Sequence, residues 1–154
     1  MRNSAGLLPY RETASVLEVL LVHPGGPFWT KKDEGAWSIS KGEIGDGEDP
    51  LAAAKREFTE ETGFTPEGDF LALKPIVQPG GKRVQAWAMR ANFDAARLHS
   101  NLFSMEWPPR SGRQRQFPEV DRAAWFDIGT ARVKILKAQM PLLDDLMAQM
   151  AAAR

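Results

Sequence analysis

Three glutamates, Glu57, Glu60 and Glu61, are spaced i, i+3 and i+4 along the chain. On a helix those offsets set all three carboxylates on one edge, with Cβ atoms about 5–6 Å apart. Like charges so placed repel one another by a few tenths of a kcal/mol per pair. Glu60 and Glu61 also fall just before Gly63, in what would be the last helical turn. There the negative end of the helix dipole opposes each by roughly 0.3–1 kcal/mol. A divalent cation reverses the sign of every one of these contributions. Oxygen ligands alone suit Mg²⁺, with Mn²⁺ as a second possibility, and magnesium commonly binds a few carboxylates together with substrate phosphates. That is chemistry for phosphoanhydride cleavage. The cation neutralises charge on phosphate oxygens and activates water, while a spare carboxylate takes the water's proton. A row of glutamates is equally what a solvated helix face looks like. Leu51, Ala54 and Phe58 make the opposite face apolar under either reading.

The elements that must position these groups are legible in outline. Asp49 is a suitable N-cap, Pro50 suits the first helical position and Gly63 suits the C′ position, which predicts a helix over 50–62. Residues 15–23 (SVLEVLLVH) read as a buried strand ending at Pro24-Gly25-Gly26, and residues 4–8 as a short strand before it. Between Pro24 and Asp49 the glycine-rich stretch reads as a long loop holding a short strand at Trp37-Ser38-Ile39. Residues 70–78 and 83–91 read as two strands joined by the turn Pro79-Gly80-Gly81-Lys82. Residues 94–118 read as irregular, 123–126 as a strand, and 129–139 and 141–152 as helices with Pro141 marking a fresh start. This order predicts an α/β fold, a mixed sheet with helices on both sides, in a single domain over 1–154.

Bulk properties narrow the function. The 20 basic and 20 acidic side chains balance to zero net charge. That argues against bulk binding of duplex nucleic acid or a membrane surface, which needs a basic excess. An anionic substrate must then be held locally or through a metal. The chain has no cysteine, so thiolate metal sites and disulfides are excluded. The two histidines, His23 and His99, are too few for a histidine-rich zinc site, and neither has a partner visible in the sequence. With no evident leader or membrane span, the expected location is cytoplasmic, and the expected assembly a monomer or homodimer.

The stretch from Gly42 to Phe64 (GEIGDGEDPLAAAKREFTEETGF) resembles the Nudix box. The matching positions are Gly42, Glu48, Arg56, Glu57, Phe58, Glu60, Glu61, Gly63 and Phe64, with the spacing intact. The flanking order of elements is similar to the Nudix α/β/α sandwich. The resemblance implies that Glu57, Glu60 and Glu61 are metal-binding carboxylates, with Glu57 or Glu61 the general base. Arg56 is implied to support the chemistry by pairing with a box glutamate. Gly42 is implied to let the Lys41 backbone carbonyl reach the metal, and Glu119 to supply a further carboxylate from a later loop. Phe58 and Phe64 stand where aliphatic residues are usual.

Ser40-Lys41-Gly42 is similar to the Pro-Lys-Gly segment of the dinucleoside polyphosphate branch, with Ser40 in place of the proline. Lys41 is then either a phosphate contact or a solvated lysine. For base stacking the candidates are Trp87, Phe103 and Trp107; Trp87 fits the core equally well. Arg110, Arg113 and Arg115 either reach outer phosphates from a lid or form a solvated loop. The implied function is hydrolysis of a phosphoanhydride in a nucleotide or dinucleotide. A nucleotide sensor of the same fold without turnover is the alternative, and a protein-interaction domain a third.

Overall fold

The computed structural model describes residues 3–153. Its central strand, β1 (Asn3–Thr13), is buried without a break from Ser4 to Tyr10 because both its faces are covered there. Ala5 and Leu7 point to one side of the sheet, Leu8 and Tyr10 to the other. The strand runs five residues past the expected end at Leu8, through a proline that reads as a breaker. Ser4–Leu7 pair antiparallel with β3 (Ser40–Glu43), whereas Tyr10–Thr13 pair antiparallel with β2 (Val16–Pro24). Pro9, which has no N–H to offer, falls where β1 exchanges one partner for the other. β2 and β3 thus diverge from a common neighbour like the tines of a fork.

On its other side β1 runs parallel to β6 (Lys82–Arg90). β4 (Phe70–Ala72) and β5 (Ile76–Gln78) pair with β6, and β9 (Val120–Asp127) pairs with β2, giving one mixed sheet. Helix α1 (Pro50–Thr62) covers one face through Ala53, Ala54 and Phe58. Helices α2 (Ile128–Lys134) and α3 (Met140–Ala152) cover the other, with Ala131, Leu142, Leu143 and Leu146 in the core. This is the expected α/β/α sandwich. Among the described residues no helix is long and apolar enough to cross a membrane.

Three expectations are corrected. The strand expected over 70–78 is broken between β4 and β5. There Pro75 cannot donate, and the Lys74 N–H leaves the ladder to donate to Asp145 Oδ2 at 2.9 Å. The helix expected over 129–139 stops at Lys134. Ile135 turns to extended backbone so that its side chain is buried and its backbone bridges to Trp37. Residues 94–118, expected to be irregular, contain a hairpin of β7 (Leu102–Glu106) and β8 (Gln114–Pro118), a separate two-stranded sheet. Phe103 faces Phe117 across it, with ring centroids 6.0 Å apart.

Candidate active site

The carboxylate edge is built from the helix outward. Asp49 accepts from the Ala52 N–H at 3.0 Å and starts α1; Gly63, at φ 77°, ends it by donating to the Thr59 carbonyl at 2.8 Å. Burial of Phe58 against Ala5, Leu7 and Met89 fixes the rotation of the helix about its axis. Glu57 then faces β3. A Cβ on Gly42 would stand 2.0 Å from the Glu57 carboxyl carbon, so glycine there is a condition for the carboxylate's position. The box glycine thus makes room for a side chain, which the sequence reading did not foresee.

Arg56 grips Glu48 with a fork, Nε to Oε2 at 2.9 Å and Nη2 to Oε1 at 3.0 Å. The guanidinium and the Gly45 N–H hold the Glu48 carboxyl down at about 2. Arg56 Nη1 also donates to Glu57 Oε1 at 2.9 Å and lies 3.3 Å from Glu60 Oε2. One cation therefore ties the start of the box to the helix edge.

Glu61 sits deeper. Burial, with the nearby charges of Glu57 and Glu119, pushes its carboxyl up to about 7, against an opposing hydrogen bond from Ser40. The Ser40 hydroxyl, buried in β3, donates to Glu61 Oε1 at 2.8 Å. The serine that departs from the proline of similar sequences thus orients a box glutamate. Burial and the adjacent Lys82 ammonium lower the Lys41 pKa.

Glu119 reaches the same place through backbone bonds. The Asn101 N–H donates to the Glu60 carbonyl at 2.8 Å and the His99 N–H to the Thr62 carbonyl at 2.9 Å, satisfying carbonyls at the end of α1. The Glu119 N–H donates to the Asn101 carbonyl at 2.9 Å, and the Glu119 carbonyl accepts from Gly25 at 3.0 Å. Burial and the charges of Glu57 and Glu60 raise the Glu119 pKa. Four carboxylates, Glu57, Glu60, Glu61 and Glu119, therefore share one electrostatic neighbourhood. They are not a finished ligand cage. Among the described residues no three acidic or histidine side chains are poised to hold an ion, and Arg56 engages Glu57 and Glu60. Their all-oxygen donor set and mutual repulsion nevertheless fit a hard divalent cation.

A cavity of about 200 Å³ opens beside them, lined by Trp29, Ile39, Lys41, Glu61, Glu119 and Leu136 among others. Trp29 was missed in the sequence; an aromatic inside a glycine- and proline-rich loop was its only signal. Lys82 was missed too, since a hairpin lysine reads as turn chemistry.

The remaining candidates lie elsewhere. Trp87 packs against the α1 core, the other of its two readings, and lines no part of the cavity. Phe103, Trp107, Arg113 and Arg115 belong to the β7–β8 hairpin and the turn at its tip. The arginines are exposed, and Trp107 meets Phe28 edge-on at 5.4 Å. None of these four lines the cavity. His23, for which the sequence shows no partner, has two: Asp121 Oδ1 at 2.9 Å and the Lys32 carbonyl at 2.6 Å.

The NUDIX domain profile matches residues 1–146. The chain belongs to the NUDIX family. An RNA pyrophosphohydrolase of Rhodospirillum rubrum is 26% identical over 153 residues, covering 96% of this chain and 91% of that protein. A second, from Roseobacter denitrificans, is 41% identical over 63 residues, 39% of this chain; the match spans only 38% of that relative's length. Among solved structures, an Ap4A hydrolase of C. elegans in a binary complex superposes with a TM-score of 0.68 at 23% identity, covering 97% of this chain and 98% of that one. The NUDIX domain of Shewanella oneidensis NrtR, complexed with ADP ribose, gives 0.66 at 13% identity over 96% of this chain and 87% of that one. These likenesses bear on the fold of this NUDIX chain and accord with an enzyme acting on phosphorus-containing acid anhydrides.

Proposed function

We propose that the protein hydrolyses a phosphoanhydride bond in a nucleoside-diphosphate-linked substrate, a dinucleoside polyphosphate or a nucleoside triphosphate. The observation that carries this reading is the convergence of Glu119, from the β8–β9 junction, with Glu57, Glu60 and Glu61 of α1 beside the Lys41-lined cavity. Mg²⁺, or Mn²⁺, would be held by Glu57, Glu60, Glu61 and Glu119, with the Lys41 carbonyl as a further ligand. When bound, such an ion neutralises negative charge on the phosphate oxygens and acidifies water.

The side chains supply the rest. Lys41, with the Lys82 ammonium nearby, offers a pair of positive charges that a phosphate would reconcile. Trp29, on the cavity wall, offers a face for the base. Glu61, oriented by Ser40, or Glu57 would accept the proton from water. Arg56 holds Glu48 and Glu57 and so keeps the edge in register. Arg113, Arg115 and Trp107 would act only if the hairpin bends toward a bound substrate. Named relatives are described as an RNA pyrophosphohydrolase and an Ap4A hydrolase, in keeping with this substrate class.

The test is a panel of nucleoside triphosphates, dinucleoside polyphosphates and ADP-ribose with Mg²⁺ or Mn²⁺, products being separated by chromatography. Turnover of at least one member, lost in Glu61→Gln, is the expected result. Binding without turnover across the whole panel would replace the enzyme with a nucleotide sensor.

A further inference from the structure

His23 is fully buried at the end of β2, edge-on to Trp37 with ring centroids 5.2 Å apart. Both its nitrogens face acceptors. Nε2 lies 2.6 Å from the Lys32 carbonyl, and Nδ1 lies 2.9 Å from Asp121 Oδ1. A carbonyl and an ionised carboxylate only accept, so the ring bonds both at once only when both of its nitrogens carry protons. An ordinary core histidine needs no more than one such partner. Here the two partners belong to segments that form different walls of the cavity.

The first segment is the loop over 25–36, which carries Trp29 and is tied at its far end by the Gly35 N–H to Val133, Trp37 Nε1 to Asp33 and the Lys134–Asp33 ion pair. The second is the start of β9. His23 pairs with Arg122 and Pro24 with Val120, so Asp121 is an extra residue bulged out of the ladder. The bulge sets the phase of the strand two residues after Glu119. It places the Asp121 carboxylate against His23 instead of in the register of the sheet.

We propose that His23 is a positioning residue that locks the loop bearing Trp29 and the bulged turn bearing Glu119 into one fixed separation. The lock is geometric. The Lys32 bond anchors the loop near its middle, the Asp121 bond anchors the bulge, and the backbone bond from Gly25 to Glu119 closes the ring between them. The two branches have different consequences. Loosening the loop weakens the grip on the base and raises KM. Loosening the bulge displaces a carboxylate from the reacting end and lowers kcat. The kinetic part of this inference rests on the phosphoanhydride reading; the mechanical part does not.

The experiment uses the full chain with His23→Gln, whose one amide nitrogen can face only one of the two acceptors, and Asp121→Asn, which weakens the second branch alone. Amide hydrogen exchange is followed by mass spectrometry, and kcat and KM are measured with diadenosine tetraphosphate and ATP, well below each variant's melting midpoint. In His23→Gln, exchange over 25–36 and 119–122 should rise about tenfold with α1 unchanged. KM should rise and kcat fall, each about fivefold or more. Asp121→Asn should lower kcat with KM within twofold of wild type. Uniform acceleration of exchange, no acceleration, or both constants within twofold in His23→Gln would each overturn the proposal. If the wild type turns over neither substrate, the exchange pattern alone decides the lock, and the phosphoanhydride reading is decided separately by the full panel.

Discussion

Helices α1 and α3 are both 13 residues long, both carry proline in the first turn, and they lie on opposite faces of one sheet. They are held in place by different means. α1 has a side-chain N-cap and a left-handed glycine at its end, and two glutamates occupy its last turn without a compensating base. α3 has no side-chain cap at all, but Leu142, Leu143 and Leu146 are completely buried. The apolar helix is fixed by what it covers. The acidic helix spends much of its surface on charges that disfavour it, so its ends must be specified chemically. A helix defined at its termini can carry an unfavourable edge without unwinding.

The contrast breaks first if function and stability do not separate. Glu57→Gln should lower turnover by roughly 10²–10⁴-fold with the melting midpoint nearly unchanged. Leu146→Ala should do the reverse, costing about 2–5 kcal/mol of unfolding free energy in a denaturant titration while kcat holds well below the midpoint. Gly42→Ala is the sharper version on the α1 side. Its new methyl would collide with the Glu57 carboxylate, and a displacement of that order costs roughly 100-fold in kcat/KM with the fold intact by circular dichroism.

A smaller effect concerns pH in the metal-free protein. Glu61 is raised from 4.5 to about 7 on folding, so the folded chain keeps a proton that the unfolded chain releases. The stabilisation is fully present below pH 4.5 and is lost as pH rises toward 7. Glu119 adds in the same direction. With EDTA present, the melting midpoint should decline over that window, and Glu61→Gln should flatten the decline; a flat wild-type profile would refute the burial of this carboxylate. The smallest effect is Asp49→Ala, which removes the α1 cap and should cost about 1 kcal/mol by the same titration. α3 has no side-chain cap to lose.

Much of the α1 region was readable because its determinants are local. Asp49, Pro50 and Gly63 mark the helix, and a strict spacing marks the edge. Ser40 and Gly42 were visible as motif positions, but their contacts with Glu61 and Glu57 depend on β3 crossing the helix, which no local pattern encodes. Glu119 could be named only by resemblance, since its place is set by backbone bonds to Gly25 and Asn101. The β7–β8 hairpin was hidden by Pro108, Pro109 and Gly112 at its tip, although Leu102–Glu106 does alternate outward and inward. His23 was opaque for a related reason: one partner is a backbone carbonyl and the other a residue that exists in register only because of a bulge.

The exchange of partners along β1 has one more consequence. Val22, from one tine, and Ser38, Ile39 and Lys41, leading into the other, all border the cavity. The gap between the two tines is therefore written into strand order, and Trp29, Ala36 and Leu136 complete its walls. Replacing the tip of the hairpin would reshape the rim while leaving the mouth and the glutamates of α1 untouched. Such a scaffold can change what it admits without rebuilding the place where bonds are broken.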